Sequence, residues 1–323
     1  MTIFITSNTD PYFNLASEEY LIDNMKGDVF MLWINAPVVV IGRNQNAYAE
    51  LNRSFIEEHG IKVVRRLSGG GAVFHDLGNV NFTFIVDDDG SDIDFARFTS
   101  PVTAALASIG IEAELFGRND IVSKGVKISG NAQARRSGRI MHHGTLLYSA
   151  DLSHMSGALN VNDAKLKSKG VKSIRSRVGN LKQLYQLSLD ADGFKSAIEE
   201  YAKKSWPDAV IRPFTEEENA AIQRLADEKY SRWEWNWGQS KQFEDSVTRY
   251  FPFGLLRIDY SLSGGYISDI AISGDFFGRK DIREIEERLR GLQFTRENLE
   301  AAVSDIGEYI SGAAAGEFAG MLF

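Results

Sequence analysis

Cysteine is absent from the 323 residues. That removes disulfides, thiolate metal sites and cysteine nucleophiles together. Histidine is scarce. His59, His75, His142, His143 and His154 include no His-x-x-x-His or His-x-Glu spacing, so a protein-bound zinc is not expected. No stretch approaches the roughly 20 apolar residues of a membrane span. The first ten residues show neither a basic n-region nor an apolar run, so no signal peptide is expected there. An excess of positive charge is missing too. The net charge of -8 and a pI near 5.3 argue against a nucleic-acid partner. There is no internal repeat, no low-complexity tract, no Gly-Lys-Ser/Thr phosphate loop and no dinucleotide fingerprint. A chain without a membrane span, in a reducing cytoplasm, is the expectation that remains.

What is present is ordinary globular composition, 43% hydrophobic and 25% charged. The length suits one large domain and a smaller one. Asp10-Pro11 ahead of Phe13, Leu15, Ala16, Tyr20 and Leu21 predicts a capped amphipathic helix. Phe30 to Ile34 and Val38 to Ile41 predict two strands joined by a turn, and Ser54 to His59 a short helix stopped by Gly60. Val80, Phe82, Phe84 and Val86 alternate with Asn81, Thr83 and Ile85, as in a half-buried strand. Phe95 to Ile109 predicts a helix, with Pro101 better placed at the start of a segment of its own. Short strands follow at 112–116, 121–123, 126–129 and 144–148. Strands and helices mix without regular alternation, which predicts an α+β fold. Near Trp233, Trp235 and Trp237 the texture changes. Beyond it, strands at 253–260 and 266–272 around Ser263-Gly264-Gly265, then helices at 282–292 and 296–306, suit a small α+β unit. The boundary is drawn at residues 243/244.

Arg65 to His75, with Gly69-Gly70-Gly71 inside it, is the most informative stretch. Three glycines let backbone amides approach a phosphate or carboxylate closely, and Arg66 adds a fork of donors matched to phosphate oxygens. Alone, a glycine triplet reads first as a flexible turn. The strand-like Ala72-Val73-Phe74 behind it would hold the loop in place. Val126-Lys127-Ile128-Ser129 puts Lys127 between apolar neighbours, which suits an anchored lysine as well as a solvated one. Asp120, one strand earlier, is placed to bond across the hairpin and keep Lys127 charged. His142 and His143 point to opposite faces of a strand and cannot chelate one metal together. His59, His142 and His154 read as packing residues. Lys165 to Lys182 carries seven basic residues and no acidic one, a docking surface for an acidic protein partner, a pyrophosphate-facing loop or a solvated loop.

At these residues the sequence resembles the two-domain bacterial lipoate-protein ligases. The matching stretches are Ile41 to Asn46, Arg65 to Asn79 (RRLSGGGAVFHDLGN), Gly117 to Asp120, Lys127 to Ala132 (KISGNA), His142 to Leu147 (HHGTLL), Lys169 to Asn180 and Trp233 to Gly238. In that order they span roughly residues 10 to 240. The tail resembles the family's accessory domain mainly in size and pattern.

The resemblance implies a catalytic domain (1–243) related to biotin ligases and class II aminoacyl-tRNA synthetases, with mixed, largely antiparallel sheets, and an accessory domain (244–323). It implies lipoate and Mg-ATP as substrates, a lipoyl-AMP intermediate, and transfer to a lysine of a lipoyl carrier. The carriers implied are the E2 subunits of 2-oxoacid dehydrogenases and the glycine cleavage H protein, with the enzyme a monomer. Lys127 and Asp120 match the catalytic pair. Arg66, Gly70, Gly71, Ala72, Val73, Phe74 and Asn79 match the ATP and adenylate site. Trp33, Ser68, His75, Ser129 and His143, with Lys127, would line the lipoyl pocket. Mg²⁺ would be carried by the ATP phosphates, with no site made by protein alone. Related transferases that work without ATP use a cysteine thioester, which this chain cannot form. A biotin ligase would call for an arginine-rich glycine loop in place of Ser68-Gly69-Gly70-Gly71. A non-catalytic lipoate or nucleotide binder would not need Lys127, Asp120 and the glycine loop together.

Overall fold

The structure of the chain, a computed structural model, describes residues 1–90, 93–159, 178–238 and 243–323. Its strands are β1 (Thr2–Ile5), β2 (Val29–Ile34), β3 (Val38–Ile41), β4 (Lys62–Arg65), β5 (Val73–His75), β6 (Asn79–Asp87) and β7 (Glu114–Phe116). They continue with β8 (Asp120–Ser123), β9 (Val126–Arg136), β10 (Arg139–Leu147), β11 (Val210–Arg212), β12 (Asp245–Phe251), β13 (Gly254–Ser263) and β14 (Tyr266–Gly274). One large sheet runs β11-β1-β2-β6-β10-β9-β8-β7, and two small sheets run β4-β3-β5 and β12-β13-β14. The β11–β1, β1–β2 and β3–β4 pairs are parallel; the others are antiparallel. The fold is α+β with mixed, largely antiparallel sheets. No described helix is long and apolar enough to cross a membrane.

The large sheet is covered on both faces, and this decides where polar residues lie. Val80, Phe82, Phe84 and Val86 of β6 pack with Phe98 and Val102 of the helix Ala96–Ser108 and with Phe194 and Ile198 of the helix Ala191–Ser205. On the other face Ile85 joins Leu15, Met31 and Met141 under the helix Pro11–Asn24. Residues 79–86 are therefore all buried, where period-two alternation suggested a half-buried strand. The alternation separates an apolar face from a face carrying buried Asn79, Asn81 and Thr83.

The helix Pro11–Asn24 starts as expected, with Asp10 Oδ1 accepting from the Tyr12 amide and Pro11 in the first turn. It is not a simple amphipathic helix, because Asn14, Ser17, Glu18 and Glu19 are buried along with its apolar residues. Glu19 accepts from Lys229 Nζ at 2.6 and 2.8 Å and from the Tyr230 hydroxyl at 2.7 Å.

Several local expectations change. Pro101 lies inside the helix Ala96–Ser108, about a turn and a half from its start, where it removes one ladder bond without ending the helix. The strands β2 and β3 go to different sheets and do not pair with each other. β9 and β10 run well beyond their apolar cores, because Ser137-Gly138 makes a two-residue turn with both φ positive, at 54° and 71°. β12 was hidden in a polar stretch. Most of the basic run Lys165–Lys182 lies outside the described residues, as does the segment 239–242 beside the 243/244 boundary.

The C-terminal layer builds a core from Ile258, Ile270 and Ile272 of its sheet with Ile285, Leu289 and Leu299 of the helices Arg283–Leu289 and Arg296–Ala302. It leans on the glycine-rich loop. Gly70 N–H donates to Phe276 O at 3.3 Å, and Gly274 N–H donates to Asn44 O at 2.9 Å. Arg118 donates to the carbonyls of Phe253 and Asp275 and stacks over the Phe277 ring at 4.6 Å.

Candidate active site

The glycine-rich loop leaves β4 and returns as β5, and buried Arg66 holds it from beneath, while buried Arg65 ties down the neighbouring turn at 42–45. Arg66 donates to Ser68 Oγ at 3.0 Å, to Val40 O at 3.2 Å, to Gly69 O at 2.6 Å and to Gly71 O at 2.9 Å. Most of the fork expected to face a phosphate is therefore spent on shaping the loop, with four of a guanidinium's five N–H groups engaged. Burial pushes Arg66 down to about 10, partly offset by the Glu18 charge, which leaves it cationic at neutral pH. Arg65 donates to the carbonyls of Gly42, Arg43, Gln45, Trp235 and Asn236, tying the Trp233–Asn236 helix to the same loop cluster. Gly70 has φ +88°, and a Cβ there would sit 3.0 Å from Arg66 Nη2 and 3.1 Å from the Phe277 ring. Only glycine meets both conditions without strain.

Lys127 and Asp120 pair across the β8–β9 hairpin at 2.7 Å, each side chain about a third exposed. Lys124-Gly125, with φ 48° and 77°, closes that hairpin. A Cβ on Gly130 would lie 3.1 Å from Lys127 Nζ, so the missing side chain leaves the ammonium its room.

A buried polar chain runs behind the loop. Ser68 Oγ is 2.6 Å from His143 Nε2, and His143 Nδ1 is 2.8 and 3.1 Å from the two oxygens of Glu18. Thr83 Oγ1 donates to Glu18 at 2.7 Å and accepts from Trp33 Nε1 at 2.9 Å. Glu18 is thus a buried acceptor for two donors. His142, as expected, faces the other way and stacks on Phe98 at 4.9 Å, and burial holds its pKa well below the usual histidine value.

These elements enclose a cavity of about 210 Å³. Arg66, Gly70, Gly71, Ala72, Val73, Trp33, His75, His143, Asp120 and Lys127 line it together. Four sequence candidates do not. Phe74 points away into the core with Val39, Ile41 and Ile56, since adjacent strand residues face opposite sides. Asn79 is wholly buried and donates to Asn81 Oδ1 at 2.8 Å, and Asn81 does line the cavity. Ser129 likewise sits behind Asn131, accepting from its amide at 3.2 Å. Ser68 lies beneath the lining, between Arg66 and His143.

The cavity also takes Arg118, Asn119, Asn131 and Thr145, which sequence reasoning did not single out, although most stand inside or beside the GRND and KISGNA stretches. Tyr250 and Asp275 come from the C-terminal layer, and no sequence signal marked them. No group of three or more His, Asp or Glu side chains among the described residues could hold a metal ion.

Comparison with known proteins agrees with this architecture. Residues 10–203 match the lipoyl protein ligase A/B catalytic domain, and residues 240–322 match the bacterial lipoate protein ligase C-terminus. Lipoate–protein ligase 1 of Staphylococcus aureus is 41% identical over 313 residues, 95% of this chain and 94% of that protein. Lipoate-protein ligase LplJ of Bacillus subtilis is 41% identical over 307 residues, 94% of this chain and 92% of its own. Among solved structures, a lipoate-protein ligase A bound with ATP superposes with a TM-score of 0.61 at 26% identity, covering 74% of this chain and 99% of that one. The bipartite ligase of Thermoplasma acidophilum, described with its E2 lipoyl domain, gives 0.64 at 28% identity, covering 76% and 98%. Over nearly its whole length, this chain belongs to the lipoate-protein ligase family.

Proposed function

We propose that the chain activates lipoate with ATP and transfers the lipoyl group to a lysine of a lipoyl-carrier domain. The single observation that carries this is the Lys127–Asp120 pair on the wall of one cavity that also holds the glycine loop, Trp33 and His75, in a chain 41% identical to lipoate ligases. In the first step a lipoate carboxylate oxygen attacks the α-phosphorus and the bond to the leaving pyrophosphate breaks, giving lipoyl-AMP. In the second the carrier's lysine amine attacks the acyl carbon, loses a proton, and the bond to AMP breaks. Negative charge builds on carboxyl and phosphate oxygens in both. An ammonium held in place stabilises that charge best where water is scarce. Lys127 supplies it, and Asp120 orients it. Lys127 is an electrostatic clamp and forms no covalent bond.

The glycine loop, shaped by Arg66, holds the nucleotide side with Gly70, Gly71, Ala72 and Val73. Trp33, His75 and His143 hold the acyl chain. Asp120 is already paired with Lys127, and Asp275 Oδ1 accepts from the Leu255 amide, so the cavity offers single carboxylates and no cage. That suits a Mg²⁺ brought in with ATP and held mainly by its phosphates, which would supply positive charge for the leaving pyrophosphate. Residues 1–243 would carry the chemistry and 244–323 the accessory unit. The carriers would be 2-oxoacid dehydrogenase E2 domains and the glycine cleavage H protein, met by a monomeric enzyme in the cytoplasm. The test is mass spectrometry of a purified lipoyl domain incubated with the chain, lipoate and Mg-ATP. A lipoyl mass on its acceptor lysine, absent without ATP, is expected; no modification would refute the proposal.

A further inference from the structure

His75 carries a hydrogen-bond donor with no partner in the protein, and the surrounding network fixes which ring atom bears it. Backbone carbonyls only accept. Asn14 Nδ2 lies 2.9 Å from Asn8 O and 3.0 Å from Ile34 O, so the nitrogen end of that amide is set by its surroundings. The same nitrogen lies 2.9 Å from Asn35 Oδ1, which in turn directs Asn35 Nδ2 at His75 Nδ1, 3.1 Å away. An amide N–H donates, so Nδ1 accepts and the neutral ring keeps its proton on Nε2. Burial, with the nearby Arg66 and His143, holds the ring neutral by pushing its pKa down to about 3. Nε2 is buried without a hydrogen-bond partner, the residue is 4% exposed, and it lines the cavity edge-on to Trp33 at 6.0 Å. A buried donor left without an acceptor is costly, so the molecule that fills this end should bring one.

The sheet register says which end of a substrate that is. Trp33 on β2 is opposite Asn81 on β6, and Asn81 is opposite Thr145 on β10. Thr145 Oγ1 accepts from the Gly130 amide on β9, and Gly130 lies beside Lys127 Nζ. The Trp33–His75 end and the Lys127 end are therefore three strand spacings apart, about 14 Å at the usual separation. Resting on the proposed function, with the reacting carboxyl at Lys127, the far end of the acyl chain reaches His75. Leu15, Trp33 and Val40 offer its methylenes apolar walls. In lipoate that far end is a dithiolane, whose sulfurs are weak acceptors. In octanoate, also eight carbons long, it is a methyl group that accepts nothing.

We propose that His75 Nε2–H is a specificity determinant, donating to a dithiolane sulfur and disfavouring acyl chains that end in hydrocarbon. The test is carrier-free ATP–pyrophosphate exchange by the full chain with lipoate and with octanoate, read as the ratio of the two kcat/KM values. The wild-type chain should prefer lipoate, and His75→Leu should shrink that ratio by about tenfold, the worth of one buried donor left unsatisfied. His75→Gln, which keeps an amide N–H at similar reach, should retain most of the preference. Equal losses for both acids in His75→Leu, or a Gln variant as indifferent as the Leu variant, would overturn the assignment. Should the Leu variant not fold, the Gln variant and the ¹⁵N shifts of the His75 ring decide. A proton on Nε2 in the free chain is expected, and one on Nδ1 refutes the donor. Exchange missing with both acids in the folded wild type would instead remove the ligase function, and this assignment with it.

Discussion

Replacing Glu18 probes whether the polar chain behind the cavity is a stabilising unit. Glu18 is 1% exposed and accepts from Thr83 Oγ1 at 2.7 Å and from His143 Nδ1 at 2.8 Å. Glu18→Ala strands both donors away from water, at about 1–3 kcal/mol each, and leaves an unfilled space behind. It also removes the one negative charge that offsets the burial of Arg66, the residue that shapes the glycine loop. A total of about 3 kcal/mol is the expectation, near the range for breaking a buried charged contact by deleting one partner. For a domain of this size that lowers Tm by roughly 6–12 °C. Glu18→Gln keeps the shape and one acceptor oxygen, and should cost about half as much. The assay is a thermal melt of each purified variant followed by circular dichroism, with Trp fluorescence reporting on Trp33 through its bond to Thr83. A Tm for Glu18→Ala within 2 °C or so of wild type would refute the reasoning, because it would mean both donors find other acceptors cheaply.

Four further outcomes are expected. Lys127→Ala should lower adenylation about a thousandfold with an unchanged melt, as removal of an aimed charge in a transition state does; near-normal exchange would take Lys127 out of the mechanism. Gly70→Val, at φ +88° and with a Cβ 3.0 Å from Arg66 Nη2, should weaken ATP binding by calorimetry, and unchanged affinity would separate the loop from the nucleotide. Arg118→Ala should free the C-terminal layer, seen as faster proteolytic cleavage between the layers; equal rates would mean the other contacts suffice. His75 stays neutral in the fold down to about pH 3, but in the unfolded chain it takes up a proton near 6.5. Its contribution is therefore full above pH 6.5 and lost between 6.5 and 3, at up to about 1.4 kcal/mol per pH unit. His75→Gln should flatten that part of the stability–pH curve, and a parallel curve would contradict the buried neutral ring.

Local chemistry made much of the fold legible in advance. The Asp10–Pro11 cap, the apolar alternation in β6 and the Lys124-Gly125 turn each state their structure within a few residues. The Lys127–Asp120 contact was also accessible, because a short hairpin leaves two facing residues few other places to go. What could not be read depends on distant segments. Glu18 looks like one more helix-surface carboxylate until the helix is laid over β6 and β10, which buries it against Thr83 and His143. Asn79 and Ser129 carry suitable chemistry two residues before Asn81 and Asn131 on the same strand faces, and only the folded cavity separates lining from support. Arg66 does line the cavity, but the carbonyls that absorb most of its donors become visible only once the loop is folded. Tyr250 and Asp275 reach the cavity because the C-terminal layer docks there, a contact that spans more than a hundred residues of sequence.

Lipoate-dependent ATP–pyrophosphate exchange, measured without any carrier protein, tests the central claim most directly. Exchange that requires lipoate, is not supported by biotin and is lost in Lys127→Ala is the predicted result. Folded wild-type protein that shows no exchange, or exchanges equally well with biotin, would contradict it.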